Sequence, residues 1–195
     1  MQIESQANDP IRGIARIYSM IYKFAALVLI TILAACTGKP ALDEASLGGP
    51  KLDLEEYFDG HVIAHGQFQD LFGTVSRRFV VDMNGEWDGK TLTLTEDFTY
   101  SDGYEEQRVW TLTKTGEDTW SGSADGVIGS ALGTEKDDTF NWKYSIDLPL
   151  PDGSVKVSFD DWMWRLDDKR VLNRAYMKKF GADIGEVIIY FEKLR

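Results

Sequence analysis

From Val62 onward the chain alternates apolar and polar residues in runs of about ten, and turn pairs separate the runs. The clearest runs place Arg77, Phe79, Val81 and Met83 on one parity, then Leu92, Leu94, Glu96, Phe98 and Tyr100, then Arg108, Trp110 and Leu112, then Phe140, Trp142, Tyr144, Ile146 and Leu148. A period of two puts each set on one face of a strand. Asn84-Gly85, Asp88-Gly89, Asp102-Gly103, Thr115-Gly116, Asp125-Gly126, Asp137-Asp138, Asp152-Gly153, Asp167-Asp168 and Gly181-Ala182 mark turns, and the pairs ending in glycine supply the positive φ that tight hairpins need. Ten strands follow, near 61–69, 75–83, 90–100, 104–115, 118–125, 128–136, 139–148, 154–166, 170–180 and 185–194.

Short loops between consecutive strands predict a meander in which each strand pairs with the next. Such a sheet buries its apolar face and loses its exposed edges by closing on itself. The expectation is an all-β fold, an antiparallel up-and-down barrel of about ten strands. The outward parity is too polar for the apolar band of a transmembrane barrel, so the barrel faces water. One helix precedes it. Asp53 stands where an N-cap belongs, Glu55 and Glu56 fall in the first turn, Leu54, Tyr57 and Phe58 share a face, and Gly60 ends the run.

Ionisable residues interrupt the apolar parities. Glu96 lies in phase with Leu94 and Phe98, Glu106 and Arg108 with Trp110, and Arg174 with Leu172 and Tyr176. Through the Asp102-Gly103 turn a simple register brings Glu96 opposite Arg108, as an internal ion pair or as the anchor for an anionic ligand head. Val155, Val157 and Phe159 have one parity whereas Trp162, Trp164 and Leu166 have the other. A β-bulge at Asp160-Asp161 would turn both sets inward. The resulting ligand-binding candidates are Glu96, Arg108, Trp110, Asp160, Asp161, Trp162, Trp164, Asn173, Arg174 and Tyr176. Six tryptophans suit either a cavity wall or a packed core.

Groups for catalysis are scarce. His61 and His65 are the only histidines, and on one strand they stand about 13 Å apart, too far to share a metal ion. No Gly-x-Ser-x-Gly elbow or phosphate-cradling glycine loop occurs, and adjacent residues such as Asp160 and Asp161 point to opposite faces. The expectation is a protein that is not an enzyme and uses no cofactor or metal.

Ahead of the barrel the period vanishes. Residues 24–35 are an uncharged apolar run, too short to span a bilayer as a helix, and Leu33-Ala34-Ala35-Cys36 closes it with small residues and the only cysteine. This tetrapeptide resembles the lipobox of bacterial lipoproteins at all four positions. The resemblance implies that residues 1–35 are a signal peptide, and that Cys36 is the lipidated residue carrying the acyl chains that hold the protein to a membrane. Glu4, Asp9 and Pro10 are foreign to a basic leader, and translation from Met20 would give a compact one. Residues 36–51, rich in Gly, Pro and small side chains, read as a flexible tether, and 52–195 as one barrel domain. In lipoproteins of this kind an Asp after the cysteine favours retention in the inner membrane. Thr37 therefore directs the expectation to the periplasmic face of the outer membrane.

The segments Asp53-Leu54-Glu55-Glu56-Tyr57-Phe58-Asp59-Gly60, Phe159-Asp160-Asp161-Trp162 and Asn173-Arg174 through Lys179-Phe180-Gly181 resemble those of a family of lipocalin-like bacterial lipoproteins without an assigned activity. The resemblance spans the barrel domain and implies a lipocalin- or calycin-like architecture. The formal net charge of −11 repels nucleic acid and anionic lipid, which excludes DNA or RNA as a partner. Two functions remain. One is a lipid-anchored envelope protein holding a small hydrophobic or amphipathic ligand, such as a lipid or fatty acid, with Arg108 or Arg174 at its head. The other is an envelope scaffold whose barrel is packed solid.

Overall fold

Strict alternation over ten segments gives ten strands. The computed structural model describes residues 19–23, 38–44, 48–150 and 153–194. The chain divides into two units, Met1–Ala41 and Leu42–Arg195. In the first, residues 19–23 are helical, and the apolar run 24–35 with Cys36 lies outside the described residues. Among the described residues no helix is long and apolar enough to cross a membrane.

The second unit holds one short helix, α1 (Leu54–Phe58), and strands β1 (Gly60–Asp70), β2 (Val75–Trp87), β3 (Thr91–Tyr100), β4 (Glu105–Lys114), β5 (Thr119–Ser123), β6 (Ala131–Lys136), β7 (Thr139–Leu150), β8 (Gly153–Arg165), β9 (Arg170–Lys179) and β10 (Ala182–Lys193). Each strand pairs antiparallel with its neighbours in sequence, and β1 pairs with β10 to close the barrel. The expected architecture is observed, and closure leaves no sheet edge open to a second chain.

Two local expectations are corrected. Asn84-Gly85 is no turn: β2 runs through it to Trp87, with Gly85 paired to Gly60 on one side and Leu94 on the other. The glycine is there for space, because a Cβ at Gly85 would overlap the carbonyl oxygen of Phe58 on α1. The turn comes later, where Asp88 Oδ1 accepts the amides of Lys90 at 2.8 Å and Thr91 at 2.7 Å and Gly89 takes a φ of 95°. Nor does β8 bulge. Its register against β7 is continuous from Trp164 opposite Thr139 to Gly153 opposite Leu150, and against β9 from Arg165 to Ser158. The inward set on β8 therefore stays Val155, Val157, Phe159, Asp161 and Met163.

The antiparallel order gives the barrel two unlike ends. The turns at 88–90, 115–118, 137–138 and 166–169 lie with α1 at one end, and those at 71–74, 101–104, 124–130 and 180–181 lie at the other. At the α1 end the core is solid. Leu52, Leu54, Tyr57, Leu92, Trp120 and Phe140 are each no more than 2 % exposed. Phe58 meets Phe191 edge-on at 5.6 Å, and Trp87 meets Trp120 at 5.7 Å. Burial of several large side chains, each contributing about 1.5–3 kcal/mol, makes this end a floor.

The floor is also held by polar ties. Asp53 occupies the N-cap of α1, but its side chain caps nothing and pairs with Lys51 Nζ at 2.5 Å. The cap comes from the barrel instead: Glu135 Oε1 on β6 accepts the Leu54 amide at 2.8 Å and the Trp120 indole N–H at 2.9 Å. Arg165 donates to the Lys51 carbonyl at 2.7 Å and reaches Glu56 at 3.3 Å. Lys193 Nζ donates to the carbonyls of Glu56 and Asp59, Lys114 pairs with Glu55, and the Tyr57 hydroxyl donates to the Lys169 carbonyl at 2.9 Å.

Candidate ligand cavity

Above the floor the inward side chains no longer meet across the axis. They enclose a cavity of about 470 Å³ that runs from Leu54 and Phe58 to the opposite rim, where the half-exposed Tyr104 lines it. That volume is within the range of ligand sites, roughly 300–1,000 Å³. The wall is mainly apolar and aromatic. Trp110 meets Tyr144 edge-on at 5.1 Å and Trp142 at 5.7 Å, and Tyr144 stacks on Phe159 at 5.0 Å.

Five charged side chains line it: Arg77, Glu96, Glu106, Arg108 and Asp161. Near the mouth they are partnered. Arg77 donates to Asp102 at 2.8 Å and lies 3.6 Å over the Tyr100 ring, while Glu106 Oε1 accepts the Tyr100 hydroxyl at 2.8 Å and an N–H of Arg108 at 3.2 Å. Burial and the Glu106 carboxylate push the Tyr100 phenol up.

Deeper in, the acids stand apart. Glu96 lies opposite Arg108 as the hairpin register predicts, but Arg108 takes Glu106 as its ion-pair partner. Desolvation raises Glu96 to about 7; the Arg108 charge opposes the rise and the Glu106 carboxylate adds to it. Asp161, 7 % exposed, is pushed well above the usual carboxylate range by burial and then by Asp160 and Glu96. Its Oδ1 has no hydrogen-bond partner. Asn173, fully buried, donates through Nδ2 to the Trp162 carbonyl at 3.2 Å, which leaves its Oδ1 likewise unpartnered. Burial raises the Tyr144 phenol strongly, helped by Asp161 and Glu96.

Of the sequence candidates, Glu96, Arg108, Trp110, Asp161 and Asn173 line one cavity. Asp160, Trp162, Trp164, Arg174 and Tyr176 do not. Without a bulge the even positions of β8 and β9 face outward. There Asp160 accepts from Asn141 at 2.8 Å, and Arg174 pairs with Glu186 at 2.5 Å and lies over the Tyr176 ring. The candidate set lacked Arg77, Glu106, Tyr144 and Phe159, although inward parity marks all four.

His61 and His65 also lie on the outer parity of β1, where His61 Nε2 is 2.9 Å from Asp82. Among the described residues no group of three or more His, Cys, Asp or Glu is placed to hold a metal ion. The rim around the mouth exposes apolar side chains, with Phe72 94 % and Phe180 91 % exposed at the tips of the β1–β2 and β9–β10 turns.

The family described as "Protein of unknown function (DUF3833)" matches residues 30–193. No curated protein matches the chain. Among solved structures the barrel is similar to the S-type phycobiliprotein lyase CPES from Guillardia theta, at 10% identity and a TM-score of 0.53, covering 74% of this chain and 94% of that one. It is similar too to Rv2717c from M. tuberculosis, at 16% identity and a TM-score of 0.53, covering 71% and 93%. At such identities the likeness is one of fold: a lipocalin-like barrel.

Proposed function

We propose that this chain, which belongs to the DUF3833 family of proteins of unknown function, is a lipid-anchored cell-envelope protein whose barrel binds one small hydrophobic or amphipathic molecule. The observation that carries the reading is the cavity: about 470 Å³, walled by aromatic rings, floored by α1 and reaching the opposite rim. A barrel near eight strands is filled by its own side chains or holds one small ligand, and ten strands widen the interior. Apolar walls with a few placed polar groups are what a ligand site needs. The alternative, a scaffold with a packed barrel, accounts for the solid floor and leaves the space above it without a purpose. The fold likeness to a phycobiliprotein lyase adds a barrel of the same architecture and no chemistry, and no catalytic constellation is evident among the described residues.

A lipid or lipid fragment fits the wall best, its chain along Phe79, Phe98, Trp110 and Phe159. Arg174 is outside the barrel and plays no part in the site. The anchor rests on the Leu33-Ala34-Ala35-Cys36 sequence and the outer-membrane address on Thr37. Two acyl chains or more at Cys36 would hold the protein stably, since each buried CH₂ contributes about 0.8 kcal/mol.

Native mass spectrometry of protein purified from membranes, with organic extraction of the same sample, tests the ligand. A bound mass released by solvent is expected. An empty protein that also fails to take up a neutral polarity-sensitive dye would overturn the reading. Labelling cells with an alkyne fatty acid tests the anchor separately, with incorporation expected in the wild type and none in Cys36→Ser.

A further inference from the structure

The interior has more acceptors than its own donors satisfy. Asp161 Oδ1 and Asn173 Oδ1 are buried against the cavity with no partner. Their residues come from adjacent strands at diagonal positions, Asp161 opposite Ala175 and Asn173 opposite Met163, with Cα atoms about 7–8 Å apart and both side chains on one wall. Glu96 shares the space and acts electrostatically on Asp161. Both inward arginines hold an acid already, Arg108 Glu106 and Arg77 Asp102, and the one Arg77 nitrogen without a partner, Nε, belongs to the group of side chains at the mouth rather than to the deeper acids. No lysine lines the cavity.

Buried acceptors without donors are costly, and an unpaired buried carboxylate more so. The fold tolerates the acids by keeping them protonated when nothing faces them, as desolvation at Glu96 and Asp161 does. A ligand bringing N–H donors and positive charge would satisfy the same atoms together. The rings of Trp110, Tyr144 and Phe159 beside them offer their faces to a cation as well. An anionic head would meet Glu96 and Asp161 as like charges and reach Arg108 only by displacing Glu106.

We infer that the ligand of this barrel is an amphipathic amine, its protonated nitrogen seated between Asp161, Asn173 and Glu96 and its apolar part along the aromatic wall toward the mouth. This rests on the barrel being a ligand site, as proposed above. The groups facing Asp161 from the surrounding elements are Glu96 on β3, Glu106 and Arg108 on β4, Tyr144 on β7 and Asn173 on β9. Their one cation, Arg108, is held by Glu106, and the ligand's charge is left to face Glu96 and Asp161.

Displacement of the neutral dye N-phenyl-1-naphthylamine from the delipidated protein at pH 8 tests this, with decylamine, decyltrimethylammonium, decanol and decanoate kept below their aggregation thresholds. Decylamine should displace the dye at a concentration about ten- to a hundredfold lower than decanol or decanoate, the range expected of hydrogen bonds to charged groups. In Asp161→Asn the ratio of decylamine to decanol displacement should collapse toward one. Dye binding with decanol or decanoate competing as well as decylamine overturns the inference and leaves the ligand site standing. A trimethylammonium head as effective as the primary amine overturns the assignment to the two acceptors. Failure of the dye and all four amphiphiles to bind overturns the ligand site itself. The wild-type series decides the matter even where the variant does not fold.

Discussion

Glu96 and Arg108 stand directly opposite each other on β3 and β4, yet the Arg108 guanidinium turns to Glu106, 3.2 Å away on its own strand. The cross-strand pair that looks natural in the hairpin is unmade. Its acid is left facing the cavity with a pKa of about 7.

A pH dependence of stability follows. A raised carboxyl holds its proton in the folded protein after the unfolded chain has released it, so between the ordinary 4.5 and about 7 the folded state binds more protons. The stability is full below that window and is lost as pH rises through 7. For Glu96 the loss is on the order of 3 kcal/mol. Asp161, displaced in the same direction, adds to it. Urea midpoints of the delipidated protein should fall from pH 5 to pH 8, and Glu96→Gln should flatten the slope.

Glu135 joins helix to barrel by accepting from both the Leu54 amide and the Trp120 indole. Glu135→Ala strands two buried donors, at about 1–3 kcal/mol each, whereas Glu135→Gln keeps an oxygen for them. Chemical denaturation should rank stability as wild type, then the glutamine, then the alanine variant, with a gap of about 2–5 kcal/mol between first and last.

At Gly85 the obstacle is backbone rather than a movable side chain. Gly85→Ala places a methyl on the Phe58 carbonyl, and α1 must lift from the floor to admit it. A loss of about 2–3 kcal/mol is expected, the upper part of the range for overpacking. Increased hydrogen exchange at 54–58 would show that α1 is what yields.

Val155, inward on β8 opposite Leu148, lines the cavity. Val155→Trp should fill open space, so dye affinity should drop about tenfold or more while the melting temperature moves by only a few degrees. A dye that binds this variant as tightly as the wild type would sit elsewhere.

The barrel was legible because nearly every strand keeps its parity from end to end, so that Arg77 through Met83 or Phe140 through Leu148 declare their inner face unaided. Two features misled, and for related reasons. Asn84-Gly85 has turn chemistry, but the glycine answers to α1, packed against it from outside the local sequence. Trp162 and Trp164 suggested an inward set because tryptophans are large and apolar, whereas the register keeps Asp161 inside and places both tryptophans on the outer parity. Burial of Asp161 among Glu96 and Asn173 arises from strands far apart in sequence. No spacing within β8 encodes it.

The chain joins the barrel at its sealed base, where Leu52 donates to the Asp137 carbonyl and Arg165 holds Lys51. On the proposed anchoring through Cys36, attachment and exchange would be assigned to opposite poles. If the protein is held so, lengthening or shortening residues 36–51 should alter how far the lip can travel and leave the equilibrium for filling it unchanged.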